Sequence, residues 1–244
     1  MDSASTPALR PRLAALAARV LPGLPALDVG TDHGLLAGAL VAGGTVPRAI
    51  ASDLRPQPLT RAAATIARLG VEDRVALRCA DGLRAIDPGE VATIVIAGIG
   101  GQRIVAILEA EPQRRASASR LVLAPQDEVP AVRGWLVGRG YVLVDEALVE
   151  DRGRFYVVLA AEPGAGPALT ASEREIGPRV LARGGPVLAR WLRRELALCA
   201  RAQAGLGRAA EVDPGRAAAL ADRRALLQAA LAELAAGGHP EAVP

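Results

Sequence analysis

Residues 26–34 read Ala26-Leu-Asp-Val-Gly-Thr-Asp-His-Gly34. A short apolar run closes on Asp28, Gly30 turns the chain, and a helical pattern begins at Gly34. This is the strand–turn–helix passage of an α/β sheet, and the same passage recurs along the chain. Candidate strands lie at Ala26–Gly30, Ala49–Asp53, Val75–Cys79, Thr93–Ala97, Arg120–Ala124, Tyr141–Leu148 and Phe155–Ala161. Helical patterns fill 34–42, 56–69, about 101–110 and 127–138, and an amphipathic helix with Leu9, Leu13, Leu16 and Val20 on one stripe precedes them. The strands are mostly continuous in Val, Ile and Leu, as strands covered on both faces are. The alternation predicts a doubly wound, Rossmann-like seven-stranded α/β sheet. Only Val149–Arg154 separates the last two strands, so that pair should be antiparallel.

At Glu162-Pro-Gly-Ala-Gly-Pro167 the composition turns to Pro and Gly, which places a domain boundary there, with units 1–162 and 163–244. Beyond it the patterns are helical. Thr170-Ala-Ser-Glu173 has the form of a capping box. Pro186 suits the start of a helix over Val187–Arg208, and Asp213-Pro-Gly215 turns into a second, from Arg216 to Ala235, closed by Gly237-Gly238. Leu192, Cys199 and Leu206, then Leu220, Leu227 and Leu234, recur at sevens, predicting a C-terminal α-helical hairpin of coiled-coil type.

Composition excludes several classes. The 244 residues are 51% hydrophobic, too apolar for a disordered chain. Two cysteines, Cys79 and Cys199, make no disulfide framework. All 29 basic residues are Arg, so the lysine of a P-loop is missing. Aromatic residues are 2% of the chain, too few for a module that stacks bases on aromatic side chains. No apolar run reaches the ~20 residues needed to span a bilayer, and Arg19 interrupts the apolar start. No membrane and no metal are expected, and the expected location is cytoplasmic. Net charge is +3, unevenly placed: residues 1–162 carry 18 Arg and 18 acids, residues 163–244 carry 11 Arg and 8 acids.

Ligands of such a sheet sit beyond the carboxyl ends of its strands. Three successive strands end in acids there: Asp28, Asp53 and Asp81. A dinucleotide site wants G-x-G-x-x-G, but here Asp32 stands where the second glycine belongs and would repel a pyrophosphate. A ligand with no phosphate and a positive end is favoured, and S-adenosyl-L-methionine is one. Asp53 lies 25 residues after Asp28 and can accept from both ribose hydroxyls; Asp81, with Gly82, can accept from the adenine amino group. Gly30 and Gly98 allow close approach of backbone, and Leu54 and Ala97 complete the cofactor set. A single Asp-x-Gly is also what tight turns favour anyway; the ordered set of acids is what carries the reading. Asp32 and His33 adjoin the cofactor turn and are the candidate catalytic residues, against the plainer reading of His33 as a polar neighbour of a helix start. Gly98-Ile-Gly-Gly101 is either a tight turn or a cleft floor where substrate approaches, with Gly100, Gly101, Pro125 and Gln126 as candidate substrate contacts.

These residues also carry a resemblance. Asp28-Val-Gly-Thr-Asp-His-Gly-Leu-Leu36 resembles D-I-G-S-D-H-A-Y-L, and Ile96-Ala-Gly-Ile-Gly-Gly101 resembles I-A-G-M-G-G. Leu121-Val-Leu-Ala-Pro-Gln126 followed by Val132-Arg-Gly-Trp-Leu136 is similar to L-I-L-Q-P-N followed by I-R-E-W-L. Ile176-Gly-Pro178 and Leu192-Arg-Arg-Glu-Leu196 are similar to the start of a helical tail. The family is that of the bacterial tRNA (adenine-22-N1)-methyltransferases, class I enzymes dependent on S-adenosylmethionine. The resemblance implies methyl transfer to N1 of an adenine in the D-loop region of tRNA. It places Asp28, Gly30, Asp53, Asp81 and Gly82 on the cofactor, and Asp32 and His33 near the transferred methyl. Leu35 stands where the family has Tyr, Ala37 where it has Pro, and Gln126 where it has Asn.

In the helical tail Arg190, Arg194, Arg201 and Arg208 are spaced by four, seven and seven, on one helix stripe. They are the candidate tRNA clamp, against the alternative of an ordinary solvated face. The other readings left open are a class I methyltransferase acting on a protein or small molecule, a non-catalytic RNA-binding protein of the same fold, and a nicotinamide-dependent oxidoreductase.

Overall fold

The computed structural model describes residues 8–206 and 213–236, and the chain divides into two compact units between Gly166 and Pro167. The first holds seven strands: β1 (Ala26–Val29), β2 (Ala49–Asp53), β3 (Val75–Cys79), β4 (Thr93–Ala97), β5 (Arg120–Ala124), β6 (Tyr141–Asp151) and β7 (Arg154–Pro163). They form one sheet in the order β3-β2-β1-β4-β5-β7-β6. β1 to β5 run parallel, and β7 is antiparallel to both β5 and β6. The helices of this unit are α1 (Pro11–Ala17), α2 (Leu35–Ala42), α3 (Pro56–Leu69), α4 (Gly101–Ala110), α5 (Pro112–Ser117) and α6 (Val129–Gly138).

The central strands are apolar on both faces because both faces are covered. Leu27, Ile94, Val95, Ile96, Leu121, Val122 and Leu123 have no exposed surface. Burying each such side chain is worth roughly 1.5–3 kcal/mol. Pro11, Pro56 and Pro112 open α1, α3 and α5, where a missing N–H costs nothing and the ring presets φ. Across α6 and β6 the buried Arg133 Nε donates to Glu146 Oε1 at 2.7 Å.

The structure departs from the sequence reading at element ends. β6 and β7 run on to Asp151 and from Arg154, leaving a turn of two residues where six were expected. Arg152 and Gly153 both take positive φ, +52° and +70°, the turn that matches strand twist. α6 begins at Val129 and not at 127, because Glu128 sits at φ +50° and Asp127 is engaged elsewhere. α5 and a 3-10 turn at Gly82–Ala85 are further elements that no sequence pattern announces. β7 extends through Pro163, and Gly164 still donates to Gly140 O at 2.8 Å, so the first unit continues past residue 162.

The second unit contains α7 (Ala171–Glu175), α8 (Pro178–Arg183), α9 (Gly185–Leu206) and α10 (Pro214–Ala236). The Thr170 hydroxyl accepts from Glu173 N–H at 3.2 Å, and the Glu173 carboxylate accepts from Thr170 N–H at 2.8 Å, a closed capping box. α9 and α10 pack together, with Leu192, Cys199 and Leu227 buried at the expected heptad places; Leu206, Leu220 and Leu234 are half-buried. Arg223 of α10 donates to Glu175 at 2.5 Å and to Glu195 of α9 at 2.9 Å, pinning the unit's own helices together. Arg208, Gly237 and Gly238 lie outside the described residues.

Candidate functional site

The parallel strands bring the expected residues to one rim, ordered by the sheet itself. β2 lies on one side of β1 and β4 on the other, so connections leave β1 and β4 in opposite directions, the switch point at which open sheets of this kind place their ligand sites. The turns along this rim are knitted together. Gly30 N–H and Thr31 N–H both donate to Ser52 O, at 2.8 and 2.9 Å, Ala80 N–H to Asp53 O at 3.0 Å, and Gly98 N–H to Ala124 O at 3.1 Å. Asp28, Asp53 and Asp81 therefore stand on three adjacent strand ends, with the Gly98–Gly101 loop on the fourth and Pro125-Gln126 on the fifth.

Asp28 is the acid of this rim whose pKa is raised. Burial raises its pKa to about 6, against a hydrogen bond from the Thr31 side chain and the charge of Arg12, which both lower it. Thr31 is itself buried and its hydroxyl accepts from Gly34 N–H at 3.2 Å, tying the acid to the start of α2. Gly34 is needed there: φ is +64°, and a Cβ would lie 2.9 Å from Ala62 Cβ on α3. Asp53 accepts from Arg55 N–H at 2.8 Å through one carboxylate oxygen. Leu54, beside it, is 56% exposed, an apolar surface left open beside the acids. Asp81 is exposed ahead of the 3-10 turn.

Asp32 and His33 are exposed and meet each other, His33 Nε2 lying 3.2 Å from Asp32 Oδ2. The other Asp32 oxygen accepts from Arg61 of α3. That guanidinium holds the Asp32 carboxyl below the usual carboxylate range, so it is charged at neutral pH. Gly100 and Gly101 are half-buried and buried. Asp127 braces them: its Oδ1 accepts from Gly101 N–H at 2.9 Å, and a Cβ on Gly100 would lie 3.0 Å from the same oxygen. Pro125 is buried and shapes the turn after β5, whereas Gln126 is exposed, its N–H bonded to Ile99 O at 3.0 Å. Arg190, Arg194 and Arg201 are exposed on α9, in the other unit.

Comparison with known proteins identifies the family. Residues 9–159 match the model of a methyltransferase domain. The tRNA (adenine(22)-N(1))-methyltransferase of Bacillus subtilis is 35% identical over 156 residues, 64% of this chain and 66% of that protein. A crystal structure of the B. subtilis m1A22 tRNA methyltransferase superposes with TM-score 0.81 at 30% identity, over 91% of this chain and 98% of that one. The chain belongs to the tRNA (adenine-22-N1)-methyltransferase family. Sp1610 of Streptococcus pneumoniae, solved in complex with S-adenosyl-L-methionine, superposes at 30% identity and TM-score 0.81, over 90% of this chain and 98% of that one.

Within this methyltransferase, four side chains at the rim escape sequence reasoning: Arg12, Thr31, Arg61 and Asp127. Thr31 lies between Gly30 and Asp32 but reads as an ordinary turn residue. Arg61 and Asp127 are each separated by more than 20 residues from the groups they hold, and no local pattern announces such a pair. Leu35, in place of an aromatic residue, is 36% exposed at the first position of α2, so the position still presents apolar surface at the rim.

Proposed function

We propose that this protein transfers a methyl group from S-adenosyl-L-methionine to N1 of an adenine in tRNA, at the rim between β1 and β4. The observation that carries the reading is the row of Asp28, Asp53 and Asp81 on adjacent strand ends, opposite a glycine loop, in a chain of this family. The donor set fits the cofactor. Asp28 offers a carboxylate to an ammonium, Asp53 keeps a carboxylate oxygen for ribose hydroxyls, and Asp81 with Gly82 faces the adenine end. Leu54 and Ala97 offer apolar contact, and the positive φ of Gly30 and Gly98, +75° and +82°, permits close backbone approach.

The cofactor supplies an electrophilic methyl when bound. Adenine N1 carries its lone pair in the ring plane, so no residue has to remove a proton before attack. What the protein contributes is position and charge. The Asp32 carboxylate, kept ionised by Arg61, stabilises the positive charge that develops on the base or accepts from its N6 amino group. His33 sits against Asp32 and holds its orientation together with Arg61. Gly100, Gly101 and Gln126 border the base, with Pro125 setting the turn. The helical unit carries exposed arginines at 190, 194 and 201 for phosphate contacts, which position an RNA without reading its sequence. Among the described residues no helix is long and apolar enough to cross a membrane, and a tRNA substrate favours a cytoplasmic location.

The test is methyl transfer to unmodified total tRNA with the product nucleoside identified. 1-Methyladenosine is expected, and Asp32→Ala should reduce turnover with little change in cofactor affinity. Transfer to another nucleoside, or to protein, would overturn the reading.

A further inference from the structure

β7 begins well beyond the rim that holds the site. Leu123 of β5 faces Leu159 of β7, so Ala124, the last residue of β5, is level with Val158. β7 starts at Arg154, four residues further out. At ~3.3 Å per residue, the hairpin of β6 and β7 runs roughly 13 Å past the carboxyl end of β5. Its inner side borders the site: the Tyr156 ring centroid lies 5.1 Å from the guanidinium carbon of Arg12, whose Nη2 is 2.8 Å from where a Cβ on Gly98 would stand. Arg154 is two residues from Tyr156 and projects from the same face of the strand. The end of the hairpin is cationic. Arg152, Gly153 and Arg154 are exposed. Asp151, opposite Arg154 in the ladder, is taken by Arg10 at 2.6 Å. Among the described residues, neither Arg152 nor Arg154 has an acid partner of its own. Arg152 also sits at φ +52°, in a turn that favours Gly, Asn or Asp. Local structure does not ask for an arginine there, and a strained, exposed charge without a partner points to a demand from outside the chain.

We propose that the β6–β7 hairpin is a phosphate clamp, in which Arg152 and Arg154 bind the RNA backbone beside the target adenine. A base drawn into the site leaves its own phosphate and those of its neighbours outside the rim, where the hairpin reaches. The rim itself carries Asp28, Asp53 and Asp81, acids that repel phosphate, so the cations that hold the strand have to stand away from it. Guanidinium groups at the hairpin end neutralise phosphates without reading sequence and fix the register of the strand over the site. This rests on the methyl-transfer reading above. It gives the catalytic unit an RNA contact of its own, in addition to the arginines of α9.

The test is the double variant Arg152→Asn, Arg154→Thr in the full chain, with unmodified tRNA as the probe. Asn suits the left-handed turn and Thr suits the strand, so the variant should melt no lower than the wild-type protein. Filter binding should show tRNA held roughly 3- to 30-fold more weakly, the scale of two exposed ion pairs. The logarithmic salt slope should fall by about 1.4–1.8, the share of two phosphates. Calorimetry should show S-adenosylmethionine bound as tightly as before. Phosphate-ethylation interference locates the contact: ethyl groups on phosphates next to the methylated adenine should impair binding to the wild-type protein and not to the variant. Unchanged tRNA affinity overturns the proposal, as does an interference pattern that the variant leaves intact. A variant that melts lower, or that also loses affinity for S-adenosylmethionine, marks the arginines as structural and overturns it too. If the wild-type protein neither binds nor methylates tRNA, the methyl-transfer reading itself fails, and the proposal falls with it.

Discussion

Asp28 is held in the folded protein at a cost that removal of its charge should recover. Its pKa of about 6 stands roughly two units above that of an aspartate in an unfolded chain. At ~1.4 kcal/mol per unit this amounts to about 3 kcal/mol of stability withheld whenever the carboxyl is ionised in both states. The direction follows from proton counting. Between about pH 4 and pH 6 the folded protein binds more protons than the unfolded chain, so stability falls as pH rises through that window. Above pH 7 the full penalty is present, and below pH 4 it is gone. Asp28→Asn keeps the shape and can still meet the Thr31 hydroxyl, but it carries no charge to bury. The variant should therefore be more stable than the wild-type protein at pH 8 by up to about 3 kcal/mol, roughly 6–12 °C in Tm for a domain of this size. At pH 4 the two should melt together. Thermal melts followed by circular dichroism at both pH values give the comparison. In the same assay S-adenosylmethionine should raise the wild-type Tm and leave that of Asp28→Asn almost unmoved, because a ligand stabilises only the state it binds. A variant equal to or less stable than wild type at pH 8, or one offset by the same amount at both pH values, would refute the reasoning.

Other outcomes are expected. Gly34→Ala combines a positive φ with a Cβ 2.9 Å from Ala62 Cβ and should cost about 2–4 kcal/mol, read by urea denaturation; a loss under about 1 kcal/mol would show that α3 simply moves aside. Glu146→Gln leaves Arg133 buried beside a neutral partner and should destabilise by about 3 kcal/mol or more, while Arg133→Met with Glu146→Leu recovers most of the loss. Arg61→Gln removes the main cause of the lowered Asp32 pKa, so the acid limb of the pH–rate profile should move upward; an unmoved limb would exclude Asp32 as the titrating group. Changing Arg190, Arg194 and Arg201 together to Gln should flatten the salt dependence of tRNA binding by about 0.7–0.9 in logarithmic slope for each phosphate no longer neutralised, measured by filter binding over a salt series.

The sheet is legible in the sequence because its physics is local. Continuous apolar runs of four to six residues, cut by Gly and Asp, announce buried parallel strands, and the strand ends place Asp28, Asp53 and Asp81 without any knowledge of packing. The two-residue turn at Arg152-Gly153 is obscured because Val149-Glu-Asp151 is too polar to read as strand; it belongs to an edge strand with surface to spare. The short helix α5 shows no apolar period and has no buried residue, so nothing in its composition could mark it. The site divides along the same line. The acids and glycines are readable from turn chemistry, but Arg12, Arg61 and Asp127 act across 26 to 86 residues of chain, through contacts that exist only after folding. In a chain with 29 arginines, no local feature sets Arg12 and Arg61 apart from the others.

The last strand made is not the last strand in the sheet. β7 lies between β5 and β6, joined to β5 through Leu121↔Ala161, Val122↔Ala160 and Leu123↔Leu159. Until residues 154–163 have left the ribosome, β5 offers an unpaired edge of buried apolar strand, and β6 has nowhere to attach. Closure of the sheet is therefore a single late event in synthesis, with the hairpin inserting as a unit between an edge already formed and solvent. A stall or premature stop before residue 163 would leave a nearly complete catalytic unit with an aggregation-prone edge.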